Sequence, residues 1–567
     1  MNYLINTEKM NILKTSFIAI SMAAILVGCG STTAPIVSTP IENIDTLPLK
    51  TAPLTDAQYK MWSSADLVMD TIPGMSVDKA YSEIIKNRKG ETVIVGVIDS
   101  GVDINHEDLK NVIWVNKDEI PGNGKDDDNN GYVDDIHGWN FLGDVVAENL
   151  EFVRILKNLK PKFEGKSESS ISAADRADFV LYEKAKAEYE KEYQDAVANK
   201  TRYEQILSQL KPAHTSMTNK LGKEDYTSED LSKIENPSSV EQQQIAMLSQ
   251  MLNYGGSVPE VIKQLEGGVD YFGGRLTTHF NMDKNFRSEK LGDNPDNMST
   301  KYYGNNQVDG PDPKKEDVKH GTHVAGIIAA QRNNGIGMNG VAQNVEIMAV
   351  RAVPDGDEYD KDIALAIRYA VDNGAKVLNT SFGKYYSTHP DWVWDAINYA
   401  ASKDVLIVNA AGNEGENLDT IQVYPNDQTT ENPTEISDSF ITIGALNYDY
   451  GSDLVAAFSN YGKANVDVFA PGVKIWSTTP LNTYEFLQGT SMASPEVAGV
   501  AAMIRSYYPN LTAPQVKKIL MDSGLSSNSP VVLGGDKTNT DNFSNISKSG
   551  KMVNMYNALI MADKMSK

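Results

Sequence analysis

A chain of 567 residues and 62.1 kDa is too long for one ordinary core. Its hydrophobic content of 41% and charged content of 23% are those of a folded soluble protein, and they exclude wholesale disorder and a polytopic membrane protein. A net charge of −24 repels nucleic-acid phosphate, which argues for no nucleic acid partner, and a single cysteine, Cys29, rules out an intrachain disulfide or a cysteine-built metal cluster.

The N-terminus has the build of an export segment. Lys9 and Lys14 precede an apolar run from Phe17 to Val27, too short for a comfortable membrane span and followed by polar sequence. Leu26-Val27-Gly28-Cys29 resembles the lipobox of bacterial lipoproteins, and that resemblance implies acylation at Cys29. Residues 1–28 are then a signal peptide, and the membrane is a partner through an N-terminal lipid anchor. The expected location is the bacterial cell envelope, facing the periplasm or the exterior. Pro35, Pro40, Pro48 and Pro53 punctuate a segment with little apolar periodicity, so residues 29–60 read as a tether.

From Glu91 the pattern becomes α/β. Thr92–Ile98 is an apolar run of strand length, and Val345–Val350, Lys376–Leu378 and Val405–Val408 are further buried-strand candidates. Helical patterns cover His320–Ala330, Asp362–Asn373, Trp392–Ser402 and Ser491–Tyr507. The alternation predicts a parallel sheet with helices on both faces, and ligands belong at the carboxyl ends of its strands. Residues 144–310 break the pattern. Ala173–Leu210, with neither Gly nor Pro, predicts a long helix, and Val240–Leu252 a second one. The expected organisation is a discontinuous domain over 61–143 and 311–562, with a mainly helical insertion between the halves.

Three segments carry chemistry. Val97-Ile98-Asp99-Ser100-Gly101 puts a carboxylate at a strand end. His320-Gly321-Thr322-His323 opens a helix. Gly489-Thr490-Ser491-Met492-Ala493 puts a serine at a helix N-terminus. A serine hydroxyl is a poor nucleophile unless a neutral imidazole takes its proton and a carboxylate holds that imidazole in place. Asp, His and Ser in this order on a parallel α/β scaffold resemble the subtilisin-like serine proteases, the subtilase or S8 family.

The resemblance implies an endopeptidase acting through an acyl-enzyme, with peptides or proteins as substrates. Asp99 would orient the base, His320 would be general base and then acid, and Ser491 would be the nucleophile; His323 would be structural. Asn413, in Val405-Leu-Ile-Val-Asn-Ala-Ala-Gly-Asn413, and the N–H of Ser491 would form the oxyanion hole. Ser381, Phe382 and Gly383 would pair with an extended substrate. Phe458-Ser-Asn-Tyr-Gly462 and Val466-Asp-Val-Phe-Ala-Pro471-Gly472 follow in the same family's order.

Two loops suggest structural Ca2+. Arg332–Gly340 resembles the family's calcium loop, which implies ligands at Asn334, Ile336 and Met338 together with Asp108. The run Asp126–Asp135 has EF-hand spacing at Asp126, Asp128, Asn130 and Asp134, although His137 stands where a glutamate closes that motif. The chain departs from the family in having Glu496 where a histidine is frequent, and in leaving about 30 residues between Cys29 and Trp62 for any propeptide. The rival reading is a surface-tethered binding protein on an inactive protease scaffold.

Overall fold

The computed structural model describes residues 36, 38–42, 44–47, 50, 52–253, 256–428 and 434–567. The expected signal peptide and Cys29 lie outside them. Seven strands form the body of one sheet: β1 (Val93–Asp99), β2 (Gly138–Asn140), β3 (Val345–Arg351), β4 (Val377–Thr380), β5 (Leu406–Ala410), β6 (Phe440–Leu446) and β7 (Val468–Pro471). Their order is β2-β3-β1-β4-β5-β6-β7, all parallel, and the short strands Lys551–Met552 and Leu525–Ser526 extend the β7 edge. A separate antiparallel hairpin pairs Ile475–Thr479 with Thr483–Leu487.

Side chains alternate across a strand, so β1 feeds two cores. Val93, Val95 and Val97 pack with Ile347, Val377, Leu406 and Val408 in one core. On that face lie the helices Lys319–Ala329 and Thr490–Tyr507, whose Val324, Ile328, Val497 and Val500 are fully buried. Ile98, Met348, Val350, Leu378 and Ile407 face the other way, against the helices Asp360–Asp372 and Pro390–Ser402. This is the α/β sheet with helices on both faces that the sequence predicts. Strands β6, β7 and the hairpin were not marked as strands by the sequence pattern.

The segment from 144 to 310 is mainly helical, as expected, with two differences. The long helix runs Arg176–Leu221, 46 residues or roughly 69 Å, straight through Pro212. The proline forfeits one helical hydrogen bond, but Leu210, Ala213 and Met217 on one face are buried in a core with Tyr226, Leu231, Leu248 and Val258. The helix Val258–Thr277 was not anticipated, because Gly267, Gly268, Gly273 and Gly274 lower its intrinsic propensity. Ser257 and Glu260 form a capping box at its start, and its packing along the long helix sustains it. Among the described residues no helix is long and apolar enough to cross a membrane.

The described part of the predicted tether does not hang free. Ile44 is 1% exposed inside the main core, worth about 2 kcal/mol of burial. The Ile41 N–H donates to Asn557 Oδ1 at 2.8 Å, and Asp45 accepts from Ser527 Oγ at 2.7 Å. Between the prolines, Ile36, Ile41 and Ile44 are enough apolar surface to lay this stretch on the domain, and the composition alone hid them.

Candidate active site

β1 delivers Asp99 to its carboxyl end, where the carboxylate is 1% exposed. Asp99 Oδ1 accepts from the Ser100 N–H and from His320 Nδ1, each at 2.7 Å. His320 sits in the first turn of the helix Lys319–Ala329. The next residue has to be glycine. A Cβ on Gly321 would stand 2.1 Å from the Gly101 carbonyl, so only a bare backbone lets this helix reach the strand end. Burial pulls the His320 imidazole down, but the charge and hydrogen bond of Asp99 outweigh it and hold the ring above its ordinary value of 6.5. His323, one turn on, is fully buried with Nε2 against the Glu485 carbonyl at 3.1 Å, and burial pushes it down to about 3. It is a neutral structural histidine, in keeping with its expected role.

Ser491 lies in the first turn of the helix Thr490–Tyr507, where free backbone N–H groups and the helix dipole favour negative charge. Its Oγ donates to the Ser381 carbonyl at 3.0 Å, and Ser381 Oγ donates back to the Ser491 carbonyl at 2.9 Å. The serine hydroxyl is therefore turned to Ser381 and not to His320 in this structure. Gly489 before it has φ 149°, a conformation that side chains rarely adopt. A Cβ there would also lie over the Asn413 amide, 3.5 Å from Oδ1.

Asn413 follows β5. Its Oδ1 accepts from the Thr490 N–H at 2.8 Å and from Thr490 Oγ1 at 3.0 Å. A backbone N–H can only donate, so the oxygen must face Thr490 and the Nδ2 group is left to point elsewhere. Nδ2 has no hydrogen-bond partner among the described residues. His320, Asn413 and Ser491 line one cleft of about 570 Å³, together with Phe486, Leu487 and Met492.

Ser381, Phe382 and Gly383 continue from β4 toward this cleft. Among the described residues, the peptide groups of Phe382 and Gly383 make no backbone hydrogen bond, whereas Lys384 pairs both ways with Tyr424 at 2.9 and 2.8 Å. Two open peptide groups are what an added strand would use. Sequence reasoning missed the anchor behind them. Lys384 Nζ, 3% exposed as a residue, contacts Glu151 Oε2 at 3.2 Å, Asp360 Oδ1 at 2.9 Å and the Glu358 carbonyl at 2.8 Å. Glu151 belongs to the insertion and is also paired with Arg154. The base of the insertion is thus bolted to the end of the segment expected to bind substrate.

The two expected calcium loops fare differently. In the first, the loop does wrap Asp108, which is fully buried: Asn334 Nδ2 donates to Oδ1 at 2.6 Å and the Met338 N–H to Oδ2 at 3.1 Å. Asn334 Oδ1, the expected ligand atom, instead accepts from the Ile336 N–H at 3.1 Å. A cation beside Asp108 fits only with that amide turned over. In the second loop, Asp126 and Asp134 are spent on turns. Asp126 accepts from the N–H groups of Asn130 and Gly131, and Asp134 from those of Asn123 and Gly124. Asp134 has φ 53°, and this left-handed step turns its neighbour Asp135 inward in its place. Asp128 and Asn130 remain at the centre, joined there by Asp135 and Glu119.

The family described as Subtilase family matches residues 90–547. The thermophilic serine proteinase of Bacillus sp. (strain AK1) is 46% identical over 188 residues, which are 33% of this chain and 42% of that protein. Subtilisin DY of Bacillus licheniformis is 40% identical over 35% of this chain and 68% of its own length. A solved protease of Pseudoalteromonas arctica PAMC 21717 is 30% identical, covering 43% of this chain and 70% of its own, at a TM-score of 0.34.

Proposed function

Because the chain belongs to the subtilase family of serine endopeptidases, we propose that it hydrolyses peptide bonds through Asp99, His320 and Ser491 by way of an acyl-enzyme. The observation that carries the reading is the 2.7 Å contact of His320 Nδ1 with buried Asp99, beside a cleft that His320 shares with Ser491. Holding Nδ1 as the donor leaves Nε2 as the acceptor for the serine proton. Ser491 Oγ turns from the Ser381 carbonyl to that nitrogen, a rotation between staggered wells, and attacks the substrate carbonyl. The proton on His320 then passes to the leaving amine, and water completes the second half by the same route. The developing oxyanion takes the Asn413 Nδ2 donor and the Ser491 N–H at the positive end of the helix. An extended substrate lies along Phe382 and Gly383.

Asn413→Ala should lower kcat by about 10²–10³ while KM stays within a few-fold, because the amide is engaged only once the oxyanion forms. Steady-state kinetics on a peptide substrate measure this. Equal losses in kcat and in binding would remove Asn413 from the oxyanion hole.

The site of action that fits the N-terminal sequence is the outer face of a bacterial membrane, with Cys29 as the lipidated residue. Cys29→Ser should move the protein from the membrane to the soluble fraction on ultracentrifugation, and unchanged sedimentation would assign the anchoring to something else. A structural calcium at Asp108 completes the reading. It would neutralise a fully buried carboxylate, and its role is stability and not chemistry.

A further inference from the structure

The departing half of a substrate has a place of its own. The cleft of about 570 Å³ runs from His320 and Ser491 to Tyr448, Lys474 and Phe486, and none of Ser381, Phe382 and Gly383 lines it. With the acyl half laid along Phe382 and Gly383, the residues after the scissile bond pass through this cleft. They lie beside the imidazole that protonates their amine. Among the described residues that line the cleft, Lys474 alone carries a fixed charge.

Lys474 stands between β7 and the antiparallel hairpin and is half-buried. Its Nζ sits over two rings, 3.6 Å from the centroid of Tyr59 and 5.4 Å from that of Phe486. The rings hold the ammonium by cation–π attraction but do not neutralise it. Among the described residues no carboxylate oxygen lies within 4.0 Å of it. Lys474 has φ 53°, a left-handed step that glycine takes more readily, so the turn itself does not call for a lysine. The N-terminal segment sets this arrangement. Thr55 and Gln58 form a capping box on the short helix Asp56–Tyr59, which presents Tyr59 to the ammonium. Tyr59 also packs edge-on against Tyr448, with ring centroids 5.0 Å apart. Trp62, 1% exposed, donates from Nε1 to the Val473 carbonyl at 3.0 Å and so fixes the peptide just before the lysine.

We infer that Lys474, seated by Tyr59, selects substrates with a carboxylate one or two residues after the scissile bond. The selection rests on the proposed peptide hydrolysis at Ser491 and adds its substrate class. An unpaired ammonium on the wall of a cleft attracts an anion and disfavours a second cation, so acidic leaving groups gain and basic ones lose. The carboxylate comes from an aspartate or glutamate side chain, or from the end of the substrate chain. Both bring the same anion to the same ammonium. Tyr59 is a positioning residue here: it keeps the lysine from swinging out of the cleft.

The test uses matched peptides that differ only after the scissile bond, with glutamate, glutamine or lysine at the first or second position and an amidated end. A further glutamine peptide stops two residues past the bond with a free carboxylate. In the parent, kcat/KM for glutamate should exceed that for glutamine by about fivefold or more, and the ratio should shrink as salt rises. Lys474→Met should bring the ratio close to one, Lys474→Glu should turn it in favour of lysine, and Lys474→Arg should keep it. Tyr59→Leu should lower it without reversing it. A gain for the internal glutamate assigns the anion to a side chain, and a gain for the short free acid over its amide assigns it to the chain end. Calorimetric binding of the same peptides to Ser491→Ala separates this selection from the chemistry. An acid preference there that Lys474→Met removes upholds the role of Lys474 even if another group attacks. A parent indifferent to all these peptides in both turnover and binding, or a preference that Lys474→Met and Lys474→Glu leave unchanged, overturns it.

Discussion

Ser491→Ala should fold like the parent and lose peptide hydrolysis by roughly a million-fold in kcat. At about 1.36 kcal/mol per decade that is close to 8 kcal/mol of transition-state stabilisation. The structural cost is far smaller. The hydroxyl makes one hydrogen bond, to the Ser381 carbonyl, worth about 1 kcal/mol, and the helix that carries Ser491 is held by fully buried Val497 and Val500. What remains in the variant is the part that does not need a nucleophile: Asn413, the helix N-terminus and the open peptide groups at Phe382 and Gly383. Circular dichroism and thermal melting should therefore match the parent while turnover collapses. Parental turnover in that variant would mean that Ser491 is not the attacking group.

Asp99→Asn should lower kcat by about 10⁴ and also move the pH profile. The direction follows from what acts on His320. Burial alone would pull the imidazole down, and the Asp99 carboxylate overrides it and holds the ring above 6.5. The base must be neutral, so activity in the parent falls as pH drops through that raised value. An asparagine removes the charge, the imidazole titrates lower, and the acid limb of kcat/KM should shift to lower pH. The loss in rate has a separate cause: the amide no longer dictates which ring nitrogen carries the proton. An acid limb that stays in place in the variant would mean that another group sets it.

The parts of this site that were legible in the sequence share one property. Asp99, His320 and Ser491 sit at the end of a strand or in the first turn of a helix, and Asn413 lies in the loop just after a strand, all inside short local motifs whose spacing is fixed by backbone geometry. What was hidden depends on contacts between distant segments. Lys384 meets Glu151 and Asp360 only because the insertion folds back on the sheet, and no local pattern marks such a pair. The spacing rule for the acidic loop marked Asp126, Asp128, Asn130 and Asp134 together and assumed a regular turn. The left-handed Asp134 broke that assumption, and Glu119 stood outside the motif altogether. Ile44 was concealed by the prolines around it, and the helix Val258–Thr277 by its four glycines. In both cases tertiary burial decided against local propensity.

The central claim is that Ser491 is a nucleophile activated by His320. A fluorophosphonate, which reacts only with an activated serine, tests it on the intact protein. The account predicts one adduct per chain, mapped by mass spectrometry to the peptide containing Ser491, with hydrolysis lost in proportion and no labelling of His320→Ala. An adduct on another residue, or a folded protein that hydrolyses peptides while Ser491 stays unlabelled, would contradict it.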